Sequence, residues 1–257
     1  MPTIELGTLQ HWLGMWFWPF VRIGACLMVA PVFGARFVPA RLRVVLAGAI
    51  TVPIVPLLPV SPDVALLSVA GALITVQQLL IGVALGFALQ LVFDALTLAG
   101  QLLANGMGLG FAFNLDPLRG VSTPALGQLY VVLGTLTFLA LDGHLALIST
   151  LIDSFKGLPV SESGLDPAGL RAVADWGSEL FSGALRIALP GVTALLVINL
   201  AFGVMSRAAP ALNLFAVGLP VTLIFGLSIV TFGMPAIGTA FAGLLNEAFS
   251  FMRALTS

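Results

Sequence analysis

From Leu66 to Leu103 the chain carries a single ionisable side chain, Asp94, in an otherwise almost wholly apolar stretch. A segment of that length has too little polar surface to lie on the outside of a water-soluble domain, and a bilayer of about 30 Å is crossed by roughly 20 such residues. Comparable apolar runs lie near Trp12 to Phe33, Val44 to Leu58, Pro124 to Ile148, Leu180 to Leu200 and Leu214 to Leu245. The whole chain agrees: 59% of its 257 residues are hydrophobic, only 8% are charged, and its mean hydropathy is +1.12. The expected fold is therefore an all-α membrane protein of about six hydrophobic segments, with no sizeable soluble domain. The third and sixth segments are too long for simple crossings. They must tilt, break or project, and Pro220 and Pro235 with Gly218, Gly226 and Gly233 favour breaks in the sixth.

Charge elsewhere is sparse and concentrated. Seven charged residues fall between Asp153 and Glu179, which reads as a solvated loop punctuated by Pro159, Gly164 and Pro167. The net charge of −1 offers no basic patch for nucleic acid. Arg36, Arg41, Arg43, Arg119 and Arg207 on one side, against Lys156, Arg171 and Arg253 on the other, place the termini outside the cytoplasm by the positive-inside rule. Trp12, Trp16 and Trp18 read as an interfacial belt, with packing against a neighbouring subunit as the alternative. The start has no basic residue before Arg22, so the first span is expected to be retained rather than cleaved as a signal peptide. Cys26, the single cysteine, reads as a buried thiol.

Two features stand out against this apolar background. The connector Gly106 to Gly120 alternates Gly106, Gly108 and Gly110 with Met107, Leu109, Phe111 and Phe113, and closes on Asp116 and Pro117. Glycine permits tight backbone paths, while Met and Phe supply adaptable, bulky contacts, so the segment suits a re-entrant loop or plug. Upstream of it, Gln90, Asp94, Thr97, Gln101 and Asn105 fall within an arc of about 80° on a helix. That polar stripe is expected to face a wet channel or a polar helix interface rather than lipid. Arg22, Asp94 and Arg186 interrupt apolar spans, and with few counter-charges in the chain beyond Asp94 and Glu247, some of their partners are expected on other subunits. Gly82 and Gly86 form a GxxxG step that lets two helices approach closely.

Nothing points to catalysis. His11 and His144 are the only histidines, and no HExxH, CxxC or GxSxG pattern occurs, so neither a metal nor any other cofactor is expected. Asp142 and His144 lie two residues apart and so off a common helix face; a turn or span end at Gly143 is the better reading. No P-loop is present.

Three segments, GMGLGFAFNLDP from Gly106, FLALDGHLALISTLIDSFKGLP from Phe138 and RAAPALNLFAVGLPVTLIFGL from Arg207, resemble the FliR/SctT family of type III secretion export-gate subunits in order and spacing. The resemblance covers nearly the whole chain, and GLPVTLIFG is more similar to flagellar than to injectisome members. It implies a non-enzymatic subunit of the bacterial inner membrane, in the flagellar basal body, joined to FliP and FliQ with FlhB nearby, and exported flagellar proteins as passing substrates. It implies helical hairpins forming part of a cone-shaped gate lifted largely out of the bilayer plane. Residues 1–123 would be the FliP-like part, ending in a pore plug at about 106–122, and residues 124–257 would include a FliQ-like hairpin. Subunit contacts would fall at Arg22, Arg186, Arg207 and Asn213. A small secondary transporter, an injectisome gate subunit and a purely structural assembly factor are the alternatives.

Overall fold

A computed structural model describes residues 6–35, 38–58, 62–109, 125–208 and 214–257, without the side chains of 6–11 and 214–217. The described residues are helical throughout their regular elements: α1 (Leu6–Val29), α2 (Ala40–Ile54), α3 (Val69–Gly106), α4 (Ala125–Ala140), α5 (Gly143–Gly157), α6 (Pro167–Trp176), α7 (Ser178–Ala208) and α8 (Leu214–Leu255). Five stretches are long and apolar enough to cross a membrane, and α4 with α5 supplies a sixth if the pair is counted as one span. At 1.5 Å per residue α3 is about 57 Å long and α8 about 63 Å, so both exceed the hydrocarbon thickness. Contrary to the expected breaks, α8 is one helix through both Pro220 and Pro235. A proline removes one backbone donor, and apolar membrane helices tolerate that when local adjustment or neighbours satisfy the freed carbonyl.

The fourth apolar segment does break, at Leu141 and Asp142, between α4 and α5. Asp142 is left-handed, with φ of 54°, a conformation that Asp tolerates better than most residues. Its carbonyl accepts from Leu145 and Ala146, so the Asp-Gly-His segment is a turn that starts a helix. The charged stretch after α5 also differs from the expected loop, because it contains α6. Asp166 caps α6 by accepting from the Gly169 amide at 2.6 Å, and Pro167 follows at the first helical position. That N-cap and proline pairing is a helix-start signal that the surrounding charges hide.

The chain packs as two compact units that interleave in sequence. The first takes the residues up to Leu91, Asp142–Gly177 and Asn246–Ser257; the second takes Val92–Leu141 and Ser178–Leu245. These are units of packing, a separate property from the division after residue 123 that the resemblance implies.

In the first unit the GxxxG step does what its spacing predicts. A Cβ at Gly82 would meet the Arg22 carbonyl and, at 2.8 Å, the Ala25 Cβ; one at Gly86 would meet the Cys26 carbonyl at 2.6 Å and the Val29 Cβ at 3.0 Å. The backbones of α1 and α3 therefore touch along this edge. Gly82→Ala is expected to destabilise the fold by about 1–3 kcal/mol, seen as a lower melting temperature of the purified protein. An unchanged melting temperature would mean that α1 and α3 do not meet there. Trp18 belongs to this core and not to an interfacial belt: it is fully buried, and its indole donates to Thr75 Oγ1 at 3.2 Å. Trp12, by contrast, is exposed. Trp176 of α6 stacks on Phe251 at 4.4 Å and donates to the Ala88 carbonyl at 3.1 Å, which ties the short helix to its unit.

The second unit is built around Phe93, with Phe138 and Phe241 edge-on at 5.7 and 5.3 Å, an arrangement the ring quadrupole favours. Here α3 and α4 cross at a glycine pair: a Cβ on Gly100 would lie 2.6 Å from the Gly127 Cα.

Candidate functional site: a polar helix face and the loop it leads into

Along α3 the side chains of Phe93, Ala95, Leu96, Ala99, Leu103 and Ala104 are buried, whereas Asp94, Thr97 and Gln101 are partly open and Asn105 is exposed. Gln90, in the first unit, is likewise partly open. From Asp94 to Asn105 the polar stripe, together with the partly open Leu98 and Leu102, is thus the side of α3 that the described residues leave least covered. Thr97 returns its hydroxyl to the Phe93 carbonyl at 3.2 Å, so its polar atom is satisfied within the helix, as buried or lipid-facing threonines commonly are.

The stripe ends at a defined stop. Gly108 adopts φ of +80°, its amide donates to the Asn105 carbonyl at 3.0 Å, and the Leu109 amide donates to the Ala104 carbonyl at 3.0 Å. This pair of bonds is a Schellman motif, in which a glycine in the left-handed region satisfies the last carbonyls of a helix. Gly108 therefore has a definite role in ending α3, in addition to any freedom it lends the loop. The two preceding residues are docked. Met107 is buried to 1% exposure, its thioether filling the space where Gly226 of α8 lacks a Cβ. Gly106 lies against Leu195 of α7, and its carbonyl accepts from Asn199 Nδ2 at 3.0 Å. Asn199 was not singled out in the sequence, although an amide inside the apolar stretch LLVINLAFG was the available signal. Gly110, Phe111, Phe113, Asp116 and Pro117 lie outside the described residues, as does Asn213.

The charged positions separate. Arg22, expected at a subunit contact, is fully buried in the first unit, where it donates four hydrogen bonds within the chain. Its Nε donates to Gln78 Oε1 at 2.8 Å, Nη1 to the Ser154 carbonyl and hydroxyl at 3.0 and 3.1 Å, and Nη2 to the Leu158 carbonyl at 2.7 Å. Its guanidinium carbon also sits 4.0 Å from the centre of the Phe155 ring. The charge is therefore met by the carbonyl end of α5, by an aromatic face and by an amide, each of which favours a cation. Arg186 is half exposed, 3.6 Å from Glu179 Oε2, a carboxylate that also accepts from Ser182. Arg207 is exposed at the end of α7.

Among the described residues no group of three or more His, Cys, Asp or Glu side chains could hold a metal ion. The arrangement offers a partly open polar helix face, a capped helix end and the docked residues Gly106 and Met107 where the glycine-rich connector begins.

Comparison with known proteins identifies the family. Residues 13–248 match the family model described as bacterial export proteins, family 1. The chain is 39% identical over 246 residues to the flagellar biosynthetic protein FliR of Escherichia coli (strain K12), covering 96% of this chain and 94% of that protein. It is 39% identical over 252 residues to that of Pectobacterium carotovorum subsp. carotovorum, covering 98% and 96%. With the protein of the same name from Aquifex aeolicus (strain VF5) it shares 31% over 231 residues, covering 90% and 89%. A family match across nearly the whole chain, with helices of spanning length throughout, makes this protein a member of the bacterial export proteins, family 1.

Proposed function

We propose that this chain is a non-enzymatic subunit of the flagellar type III export gate in the bacterial inner membrane, where it helps to form and to close the passage for unfolded flagellar proteins. The relatives it matches carry the name of a flagellar biosynthetic protein, which supports the flagellar assignment. The observation that carries the channel reading is that Asp94, Thr97 and Gln101 are partly open and Asn105 exposed, on a side of the second half of α3 shared with the partly open Leu98 and Leu102, while Phe93, Ala95, Leu96, Ala99, Leu103 and Ala104 are packed. A lipid-facing side would be apolar, because each charged group at a bilayer centre costs roughly 2.5–3.5 kcal/mol on insertion scales. In this reading the segment from Gly110 to Gly120 closes the resting passage, with Phe111 and Phe113 at the seal and Asp116 and Pro117 shaping its exit. Gly106, Met107 and Gly108 form the root from which it hangs.

FliP and FliQ are the proposed neighbours, with FlhB close by. In an 18-residue apolar window of each, only 22% of Pro167–Ala208 and 17% of Gly218–Leu255 is buried, against 67% for Val69–Gly106. Helices so little covered by their own chain suit a subunit whose packing is completed by others. Arg186, Arg207 and Asn213 are kept as proposed contact positions, whereas the buried setting of Arg22 suits an internal brace. Gentle extraction of the tagged chain from flagellated cells is expected to bring FliP and FliQ with it in a stable complex. Recovery as a lone, monodisperse monomer that supports solute flux in vesicles would favour a small transporter instead.

The stripe itself has a separate test. Cysteines placed at Gln101 and Asn105 are expected to react with a water-soluble maleimide, or to be shielded by protein, and to escape a probe dissolved in lipid tails. Strong labelling from the lipid phase at both positions would remove the conduit wall from the account.

A further inference from the structure

In the second unit, the residues that end α3 and begin the connector are gripped along one ridge of α7 and one of α8. Gly106 meets Leu195 and accepts from Asn199, which stand four residues apart on α7. On α8, Leu219 lies 3.8 Å from the Cβ position of Gly108, and Gly226, seven residues further on, is covered by Met107. Spacings of four and seven keep each pair on one helix face. Met107 makes the tightest of these fits. The three atoms nearest the Cβ position of Gly226 all belong to it, namely Cγ, Cε at 2.6 Å and Sδ at 2.7 Å, and the residue is 1% exposed. A side chain at position 226 would have to displace it. The end of α3 does not itself need this contact, because backbone bonds make it, from the Gly108 amide to the Asn105 carbonyl and from the Leu109 amide to the Ala104 carbonyl.

We infer that Gly226 is a positioning residue for the connector: lacking a Cβ, it seats Met107 on α8 and so sets where the chain leaves α3. Glycine is a poor choice inside a continuous helix such as α8, so its presence there calls for a local reason. The reason is steric. Position 226 needs no unusual backbone angle, and what glycine supplies is room for a long, adaptable thioether. The backbone bonds stop α3 whatever stands at 107, so the seat governs the placement of the stop and not its existence. The consequence for closure rests on the reading of the connector as the closing element, whereas the seat is a property of Met107 and Gly226 alone.

The test uses the full-length chain assembled with its native neighbours and two readouts: oxidation of Met107 to the sulfoxide by peroxide, followed by peptide mass spectrometry, and ion conductance across a planar bilayer. Wild type is expected to keep Met107 largely unoxidised, since burial shields the sulfur. Gly226→Ala should speed its oxidation several-fold and open a leak. In a Met107→Ala background, which vacates the seat, Gly226→Ala should add no further leak and no further loss of assembled complex. This second arm decides the matter even where the single variant fails to assemble. Equal protection of Met107 in Gly226→Ala and in wild type would overturn the inference. A full added effect of Gly226→Ala in the Met107→Ala background would do the same, because the new Cβ would then be meeting something other than Met107. A Gly226→Ala complex that exposes Met107 yet stays shut, beside a Phe111→Ser, Phe113→Ser complex that conducts, would overturn the positioning role. If neither complex conducts, the closure reading fails and the oxidation of Met107 still decides the seat.

Discussion

Arg22→Ala is expected to stop the protein from accumulating. The substitution removes four hydrogen bonds at a fully buried position and leaves Gln78 Oε1, the Ser154 hydroxyl and the Leu158 carbonyl facing an emptied space. A buried acceptor stripped of its donor costs about 1–3 kcal/mol, and the ring contact with Phe155 is lost as well. The combined loss, about 3–5 kcal/mol, is a large share of a typical folding free energy of 5–15 kcal/mol. Arg22→Lys keeps the charge but has one nitrogen where the guanidinium has three, so it reaches fewer of these oxygens and should fall between alanine and wild type. The amount of intact chain in membranes, read beside the amount in the assembled complex on a native gel, reports this directly. Wild-type levels of the alanine variant would show that Arg22 does not brace the first unit.

Arg22 also marks the limit of what the sequence makes legible. An arginine in an apolar helix announces that it needs partners, and the candidates a sequence displays are the few carboxylates and other subunits. The partners lie 56, 132 and 136 residues away: an amide, a hydroxyl and the carbonyls at one helix end. Backbone carbonyls have no sequence signature, and a helix end becomes a partner only once the fold brings it near. Gly82 and Gly86 were legible for the opposite reason, since a four-residue small-residue step is a local pattern whose consequence, close backbone approach, needs no other knowledge.

The loop root gives a mixed case. Three alternating glycines signalled freedom, yet Gly108 is specifically required by a helix stop, and Gly106 gives way to Leu195. Met107 falls within the segment expected to be a loop or plug, and the fold seats it in the gap over Gly226, a residue more than a hundred positions later. The break at Asp142 was visible as a turn, while the unbroken course of α8 through two prolines was not, because the penalty for proline in water overstates its cost where helices are held by an apolar surround. The capped helix α6 is masked in the sequence by charges that read as solvation, although Asp166 and Pro167 have the spacing of a helix start.

The second large effect is expected in the loop. If Phe111 and Phe113 form an apolar constriction, they exclude ions by keeping water out, and replacing both with serine removes the burial of two aromatic side chains, each contributing about 1.5–3 kcal/mol to the closed form. The balance between open and closed then shifts by roughly a hundredfold or more. Assembly should survive, because the root is held separately by Met107 against Gly226 and by the Asn199 bond to Gly106. Met107→Ser, in contrast, loosens the root itself and should reduce stability together with closure. That difference separates a seal from its anchor.

Ion conductance of the reconstituted complex across a planar bilayer is the most direct test of the claim that this chain closes an export passage. The account predicts a wild-type complex that stays shut without substrate and a Phe111→Ser, Phe113→Ser complex of the same composition that conducts. A doubly substituted complex, intact and as tight as wild type, would contradict it and would place the closure in other subunits.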